Sequence, residues 1–201
     1  LAAVRRQLDR IGPAKRERQL RRSLAAFRGA VEKVLPLVEA AAALNDPLPL
    51  PQAIGSLFQF LKESTHARDG VLIVHSHDAT RQPPEIDRFF DGTGLALSGD
   101  FVPFARSLAS SVVSMQETCV MLNLDEAARS GMFALQPFER GRHSLVAAPL
   151  PIGPGHQAVL ELFDKQDAHG AIAAAGFQPP DQRLIAAAAE LGTAMLRQAL
   201  A

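Results

Sequence analysis

One cysteine and a pair of closely spaced histidines are the side chains in this sequence best suited to chemistry. Cys119 is the single cysteine among 201 residues. This excludes an internal disulfide, a cysteine-rich zinc site and any mechanism that needs a second thiol in the chain. Cys119 lies in a predicted strand, where a buried, unreactive thiol is the usual case. We therefore expect no catalytic residue and no enzymatic activity.

His75 and His77 lie two residues apart in a predicted strand, so both side chains point to the same face of a sheet. With His66 or Asp69 they could supply metal ligands, but the pair alone lacks the third and fourth ligands of a closed site. A single pocket histidine could also ligate haem, with His75 or His143 as the candidates. Neither spacing is decisive, so we expect no metal site and assign no cofactor.

The charge balance excludes several classes of binding protein. Twenty-one lysines and arginines balance twenty-one aspartates and glutamates. This removes the electrostatic footprint of a general nucleic-acid or anionic-membrane binder. Charges also interrupt every apolar stretch before the ~20 residues that a membrane span requires. We expect a globular, cytoplasmic protein without direct nucleic-acid contacts. Because the chain begins with Leu1 rather than Met, we also expect that it was cut from a longer protein or trimmed.

Residues 1–46 are predicted to form a long helical extension, and residues 47–201 a second domain. Apolar residues between positions 20 and 38 are spaced alternately by four and three, as in a coiled coil: Leu20, Leu24, Phe27, Val31, Val34 and Val38. This seam favours a partner helix and therefore a homodimer. The alternative is an amphipathic helix lying on its own domain, because the seam is short and Pro36 should kink it.

Strands in the middle of the second domain and helices at its ends predict an α+β fold. The first half should contain a helix ending near residue 67, a strand at 71–75, an exposed loop at 78–93 that includes a short helix at 86–90, and a strand at 94–98. A helix capped by Ser98 or Asp100 should follow and end near 114, then a strand at 118–122 and a short helix capped by Asn123 or Asp125. The chain should close with a hairpin of 144–150 and 157–163 and a last helix from 179 onward.

The hairpin resembles the closing hairpin of GAF domains. Residues 142–150 read R-H-S-L-V-A-A-P-L and residues 158–165 read A-V-L-E-L-F-D-K. The corresponding strands of that family read R-S-L-hydrophobic-x-P-L and G-V-L-x-L-x-N-K. Residues 118–125 are similar to the strand and loop that precede the variable ligand lid of the family. The resemblance covers about residues 50–200.

Lys165, Phe177 and Asp181 fit the N-K…F-x-x-x-D-E pattern of GAF domains. A charge pair between a strand end and the start of the last helix would hold helix and sheet together, with the carboxylate at the helix N-terminus. If exposed, the pair contributes only ~0.2–1 kcal/mol and weakens in salt. We interpret Phe177 as a core residue. Three positions depart from the family pattern, namely Asp164 for asparagine, Gln182 for glutamate and Ala158 for glycine.

The resemblance implies a GAF-like fold with a central antiparallel sheet flanked by helices. It also implies a pocket between the sheet and residues 100–143, with 123–143 as the mobile lid. The expected function is a regulatory domain of a signalling or transcription-control protein that binds a small ligand and signals through dimeric terminal helices to an output domain outside this chain. The alternative is a ligand-free structural module whose role is dimerisation.

Six residues are candidates for contacts with a small ligand in that pocket: Ser98, Phe101, Phe104, Met121, Phe133 and His143. Ser98 and the first amides of a helix at 101–114 could receive an anion. The three phenylalanines and the methionine could form apolar walls. Because the chain has no Trp or Tyr, a purine would stack only on Phe, which does not favour a cyclic nucleotide. Cys119 fits neither the several cysteines of GAF methionine sulfoxide reductases nor a phytochrome-type bilin site.

Overall fold

The computed structural model describes residues 50–80 and 82–200, so the predicted coiled-coil seam and the boundary near residue 46 lie outside the described residues. The described elements are α1 (Leu50–Thr65), β1 (Ala67–His77), β2 (Glu85–Asp91), a 3₁₀ turn (Phe104–Arg106), α2 (Leu108–Met115), β3 (Cys119–Leu122), α3 (Leu124–Ala128), β4 (Ser144–Gly153), β5 (His156–Lys165) and α4 (Pro179–Leu200). None of the helices in this part of the chain combines the length and the apolar character that spanning a membrane requires.

The five strands form one sheet in the order β2-β1-β5-β4-β3, and every neighbouring pair is antiparallel. The predicted hairpin is confirmed, with Leu145 opposite Phe163 in the β4–β5 register. One row of the sheet runs from Val71 through Glu161 and Ala147 to Cys119. These four side chains therefore share one face, because opposed residues in a sheet point to the same side.

The two faces of the sheet bury separate apolar clusters. Helices α1 and α4 cover the first face, where Phe58, Leu72, Leu160 and Ile185 are among the buried residues. The second face carries α2 and the segments around it, over a cluster of Val71, Ile73, Phe89, Phe104, Leu108, Val112, Leu124, Leu135, Leu145, Ala147, Val159 and Phe163. Fully burying such a side chain stabilises the fold by ~1.5–3 kcal/mol. Because both faces of the sheet are covered, the side chains of β4 and β5 are apolar almost throughout.

Strand β2 lies within the segment predicted as a loop at 78–93, so the prediction of a short helix at 86–90 is wrong. β1 is the one strand of the described sheet that pairs with β2, so β2 is the edge strand and tolerates Asp87 and Arg88, which obscured its strand pattern. Its outer edge also receives the amide of Leu97 at the Phe89 carbonyl, at 2.8 Å. Residues 94–98, predicted as a strand, are an irregular segment whose one bridge joins Ala96 to Phe90. Asp91 makes the connecting turn, because its Oδ1 accepts hydrogen bonds from the backbone amides of Thr93 and Leu95.

The helix predicted from Ser98 or Asp100 begins only at Leu108. Its N-cap is Ser107, whose Oγ accepts a hydrogen bond from the amide of Ser110 at 3.4 Å. Ser98 and Asp100 are exposed and lie before the 3₁₀ turn. Ser107 has an extended backbone conformation, so it separates the 3₁₀ turn at 104–106 from α2.

Candidate ligand site beneath residues 123–143

Residues 123–143, which we call the lid, leave the sheet after β3 and return to it at β4. The amide of Asn123 donates to the carbonyl of His143 at 2.7 Å, which closes the base of the lid. Leu124 and Leu135 are buried in the cluster on the second face. The lid thus covers the sheet on the side opposite to α1 and α4.

Gln136 fastens the middle of the lid to the segment before α2. Its Oε1 accepts from the amide of Val102 and its Nε2 donates to the Val102 carbonyl, both at 2.8 Å. The amide of Ala134 donates to the Arg106 carbonyl at 2.8 Å. These few polar contacts hold the lid against a neighbouring loop, and such contacts can be exchanged for water when a lid opens.

Arg142 fastens the end of the lid to the sheet. Its Nη1 lies 2.8 Å from Asp69 Oδ2 and 3.0 Å from Asp164 Oδ2, and its Nε donates to the Phe138 carbonyl. Burial alone would lower the pKa of Arg142, but the hydrogen bonds and charges of the two aspartates raise it above its ordinary value. The guanidinium therefore stays charged and also lies over the Phe163 ring, at 5.1 Å from its centroid.

Four aromatic rings line the space between lid and sheet. The Phe89 and Phe101 centroids are 4.1 Å apart, those of Phe101 and Phe138 are 6.1 Å apart, and those of Phe138 and Phe163 are 6.2 Å apart. An open groove of about 480 Å³ lies along the same wall and is lined by Pro83, Pro84, Glu85, Asp87, Phe89, Gly99, Phe101, Val102 and Pro103. The rings thus connect the region beneath the lid with a groove on the surface.

Glu139 on the lid and Glu161 on β5 form a carboxyl pair in this apolar region. Both residues have 0 % of their surface exposed. Glu139 Oε2 accepts a hydrogen bond from the amide of Gln136 at 2.6 Å. The other three carboxyl oxygens have no hydrogen-bond partner among the described residues outside the pair. Within the pair, the two carboxyl groups hydrogen-bond to each other when one of them is protonated. Buried polar atoms are almost always hydrogen-bonded, so these oxygens are exceptional.

Both carboxyl groups of the pair hold their protons unusually tightly. Burial raises the pKa of Glu139 to about 7, against the opposing effect of the hydrogen bonds from Gln136 and Glu161. Burial, and then the charge and hydrogen bond of Glu139, raise the pKa of Glu161 well above its ordinary value. Neither group has an ion-pair partner within residues 50–80 and 82–200. Around neutral pH the pair therefore holds at least one proton and carries at most one negative charge.

Cys119 lies in the same row of the sheet as Glu161, separated from it by Ala147. Burial and the charge of Glu161 raise the pKa of the Cys119 thiol to about 11. The thiolate is the reactive form of cysteine, so the thiol is a poor nucleophile at neutral pH.

The structure brings together four of the six predicted ligand-contact residues. Phe104 is buried in the cluster of the second face, and Phe101, Met121 and Phe133 pack against that cluster. The other two are not part of it: Ser98 is exposed, and His143 has its Nε2 at 3.2 Å from the carbonyl of Ala174. Neither glutamate of the carboxyl pair was predicted from the sequence. Glu161 was detectable as the one charged residue in the otherwise apolar run 158–163.

The two strand histidines, His75 and His77, contact other residues than Glu139 and Glu161. His75 Nδ1 is 2.8 Å from Asp87 Oδ1, and its ring stacks on Phe104 with the centroids 4.4 Å apart. His77 is exposed, with Nδ1 at 3.9 Å from Glu85 Oε1. The part of the chain that the structure describes contains no group of three or more His, Cys, Asp or Glu that could hold a metal ion.

Lys165 and Asp181 join the end of β5 to the start of α4. Lys165 Nζ lies 2.6 Å from Asp181 Oδ1, donates to the Thr65 carbonyl at 3.0 Å and is 5.9 Å from the centroid of the Phe177 ring. Phe177 is 3 % exposed and belongs to the core under α1 and α4. The side chains of the ion pair are only 19 % and 12 % exposed, so solvent screens the pair less than it would screen an exposed one.

We predict a coupling free energy of about 1–2 kcal/mol between Lys165 and Asp181, because charged hydrogen bonds of this burial exceed the strength of exposed pairs. The measurement is a double-mutant cycle with Lys165→Met and Asp181→Asn, read from urea unfolding. The coupling should persist in 1 M NaCl. Loss of the coupling in salt would contradict the buried geometry.

Comparison of the structure with solved structures identifies its fold. The GAF domain of a phosphoenolpyruvate-protein phosphotransferase from Acinetobacter matches with a TM-score of 0.56 at 14% sequence identity, covering 88% of this chain and 93% of that one. The corresponding domain from Coxiella burnetii also gives a TM-score of 0.56 at 14% identity, covering 90% and 96% of the two chains. The chain has a GAF-like fold.

A third GAF domain, that of A. aeolicus nlh2 in an inactive state, matches with a TM-score of 0.51 at 11% identity and covers 87% of this chain and 98% of that one. Neither a family model nor a curated protein matches the sequence. The fold predicted from the hairpin is thus confirmed by structures of very different sequence. Since GAF-like folds can support different sites, the function must be argued from the residues of this chain.

Proposed function

We propose that this GAF-like domain is a regulatory sensor of a cytoplasmic signalling or transcription-control protein, and that it binds a small ligand between the lid and the sheet without catalysing a reaction. The observation that carries the proposal is the carboxyl pair of Glu139 and Glu161, three of whose oxygens have no hydrogen-bond partner from the described protein outside the pair. Leaving a buried polar group unpaired costs ~1–3 kcal/mol, and more if the group is charged. A ligand with hydrogen-bond donors would offset that cost.

Contacts from the lid to α4 support a signalling role. Asp164 accepts hydrogen bonds from Arg142 and from the amide of His143 on the lid, and the next residue, Lys165, pairs with Asp181 at the start of α4. A ligand that changes the position of Arg142 would therefore act on a strand end that is fastened to a terminal helix. Differential binding worth ~1–3 kcal/mol would suffice to shift such an equilibrium.

The signal would reach an output domain outside this chain through a homodimer of the terminal helices. The heptad-like spacing of residues 20–38 supports the dimer. Sedimentation velocity should find a dimer at micromolar concentration, and Leu24→Glu with Val31→Glu should convert it to a folded monomer. A monomeric wild-type chain would exclude this mode of signalling.

The second candidate function is a dimerisation module without a ligand. The close contacts of Phe89, Phe101, Phe138 and Phe163 favour it, because these side chains fill much of the space between lid and sheet. This candidate gives no role to the unpartnered oxygens of Glu139 and Glu161.

Binding of a small molecule distinguishes the two candidates. We expect native mass spectrometry of the purified chain, or a thermal-shift screen of metabolites, to find a compound that raises the melting temperature in a saturable manner. Glu161→Gln should weaken that effect, whereas Glu126→Gln, which changes an exposed lid residue, should not. A screen in which no compound stabilises the wild-type chain would favour the dimerisation module.

A further inference from the structure

We propose that the carboxyl pair of Glu139 and Glu161 binds a small organic ammonium ion, a primary alkylamine in its protonated form, beneath the lid. This inference rests on the proposed function, because it names the ligand class of the site that the lid covers. Four features of the pair support it: the unpaired acceptors, the charge, the apolar surroundings and the neighbouring groove.

The unpaired acceptors match the donors of an ammonium group. Oε1 of Glu139 and both oxygens of Glu161 have no partner from the described protein outside the pair. A primary ammonium ion carries three N–H donors and no acceptor, as in a lysine side chain. Charged hydrogen bonds in a dry site are stronger than neutral ones, so an ammonium ion is favoured over an alcohol of the same shape. A carboxylate or phosphate ligand would be repelled.

The charge of the pair fits one positive charge. The described elements packed on this face contain these buried or half-buried titratable groups besides the pair: Cys119 on β3, His75 and Asp69 on β1, Asp87 and Asp91 on β2, Arg142 and His143 on the lid, and Asp164 on β5. His143 contacts the Ala174 carbonyl, and Asp91 accepts from the amides of its own turn. The arginine is paired with Asp69 and Asp164, and His75 with Asp87. None of these groups offsets the charge of the two glutamates, so a monovalent cation from outside would neutralise it.

The donor set does not favour a metal ion. Calcium and magnesium take six or more oxygen ligands, and zinc takes four ligands. The described residues provide no group of three metal-binding side chains. The rings of Phe138 and Phe163 are also unsuited to metal coordination, but they can receive the alkyl part of an amine and the faces of aromatic rings attract organic cations.

The route from the groove to the pair is closed in this structure, because neither glutamate lines the groove and both are fully buried. Phe101 lines the groove and is also within the row of rings that reaches Phe163 beneath the lid. Gln136 closes this route by its two hydrogen bonds to Val102, and its own amide donates to Glu139. Release of the Gln136–Val102 contact would open the route and free a further acceptor on Glu139.

The test is isothermal titration of the full chain with n-butylammonium chloride in phosphate buffer, since common amine buffers would compete. We expect saturable binding, with 1-butanol, sodium butyrate and NaCl giving none. Glu161→Gln and Glu139→Gln should each weaken binding by at least about tenfold, a change of ~1.4 kcal/mol. The matched control, Glu126→Gln on the exposed part of the lid, should bind as the wild type does. Far-UV circular dichroism establishes that each variant is folded.

The affinity should also depend on pH in a defined direction. Because the ammonium ion competes with a proton for Glu139, binding should be about tenfold tighter at pH 8 than at pH 6. Equal affinity at both pH values, or unchanged binding to the two glutamine variants, would overturn the inference. If the wild type ignores butylammonium but a screened neutral or anionic compound stabilises it, the ammonium inference fails while the proposed function stands. If no compound of any class binds, both fail.

Discussion

Glu161→Gln is expected to stabilise the folded domain above neutral pH. The substitution keeps the shape of the side chain but removes the carboxyl group that is most reluctant to ionise, and the new amide can donate to Glu139. We expect the free energy of unfolding at pH 8 to rise by about 1–3 kcal/mol, because the wild type must protonate Glu161 when it folds at this pH, whereas glutamine needs no proton. Urea unfolding at pH 5 and pH 8 measures the effect.

The pH dependence of the wild type follows from the raised pKa of Glu139. In the unfolded chain this carboxyl loses its proton near 4.5, whereas in the folded protein it keeps the proton up to about 7. Between these values the unfolded state binds fewer protons, so the free energy of unfolding falls as pH rises, by about 3 kcal/mol in total for this group. Glu161 adds a fall of its own, because its pKa is also raised. Glu161→Gln should remove that part of the fall and match the wild type near pH 4.5. A variant less stable than the wild type at pH 8 would contradict the assignment.

Arg142→Gln is expected to destabilise the domain by about 3 kcal/mol, because it leaves the carboxylate of Asp164, only 7 % exposed, without its cation. The amides of His143 and Ser144 still donate to Asp164 Oδ1, so the fold should remain. The end of the lid loses its attachment to Asp69 and Asp164 at the same time. Urea unfolding gives the stability, and faster amide exchange in residues 123–143 would show the released lid.

A neighbouring arginine supplies the control for this prediction. Arg140 lies on the same lid and is exposed, so Arg140→Gln should change the free energy of unfolding by less than about 0.5 kcal/mol. Arg142→Lys should restore part of the lost stability, because lysine keeps the charge but lacks the planar group that reaches Asp69, Asp164 and the Phe138 carbonyl together. Equal losses from Arg140→Gln and Arg142→Gln would show that Arg142 does not hold the lid.

The parts of the fold that were predictable depend on local patterns. Hairpin β4–β5 combines two apolar runs with a glycine turn, and α4 begins with a proline pair followed by Asp181. β2 was not predictable in the same way, because an edge strand with one partner needs no continuous apolar run. The start of α2 was misplaced because Ser98, Asp100 and Ser107 all have the side chain of an N-cap, and only the packing of the chain selects Ser107.

The carboxyl pair could not be predicted because it joins residues from two distant elements. Glu139 belongs to an irregular segment, and its position above β5 depends on how Gln136 and Arg142 attach that segment. Glu161 alone carried a signal, because a charge in a strand of the sheet centre must be paired or must have an unusual pKa. Phe101, Phe104, Met121 and Phe133 are apolar, and all four lie in or against the cluster of the second face. Their contact with a ligand stays a prediction.

Hydrogen exchange of the chain with and without a bound ligand tests the central proposal, a lid that closes over the carboxyl pair and acts on the terminal helices. The ligand is the amine or another compound found by thermal shift. We predict that amide protection rises first in residues 123–143 and then in α4, with little change in the exposed turn at 153–155. Protection confined to another surface, with residues 123–143 unchanged, would contradict the proposal.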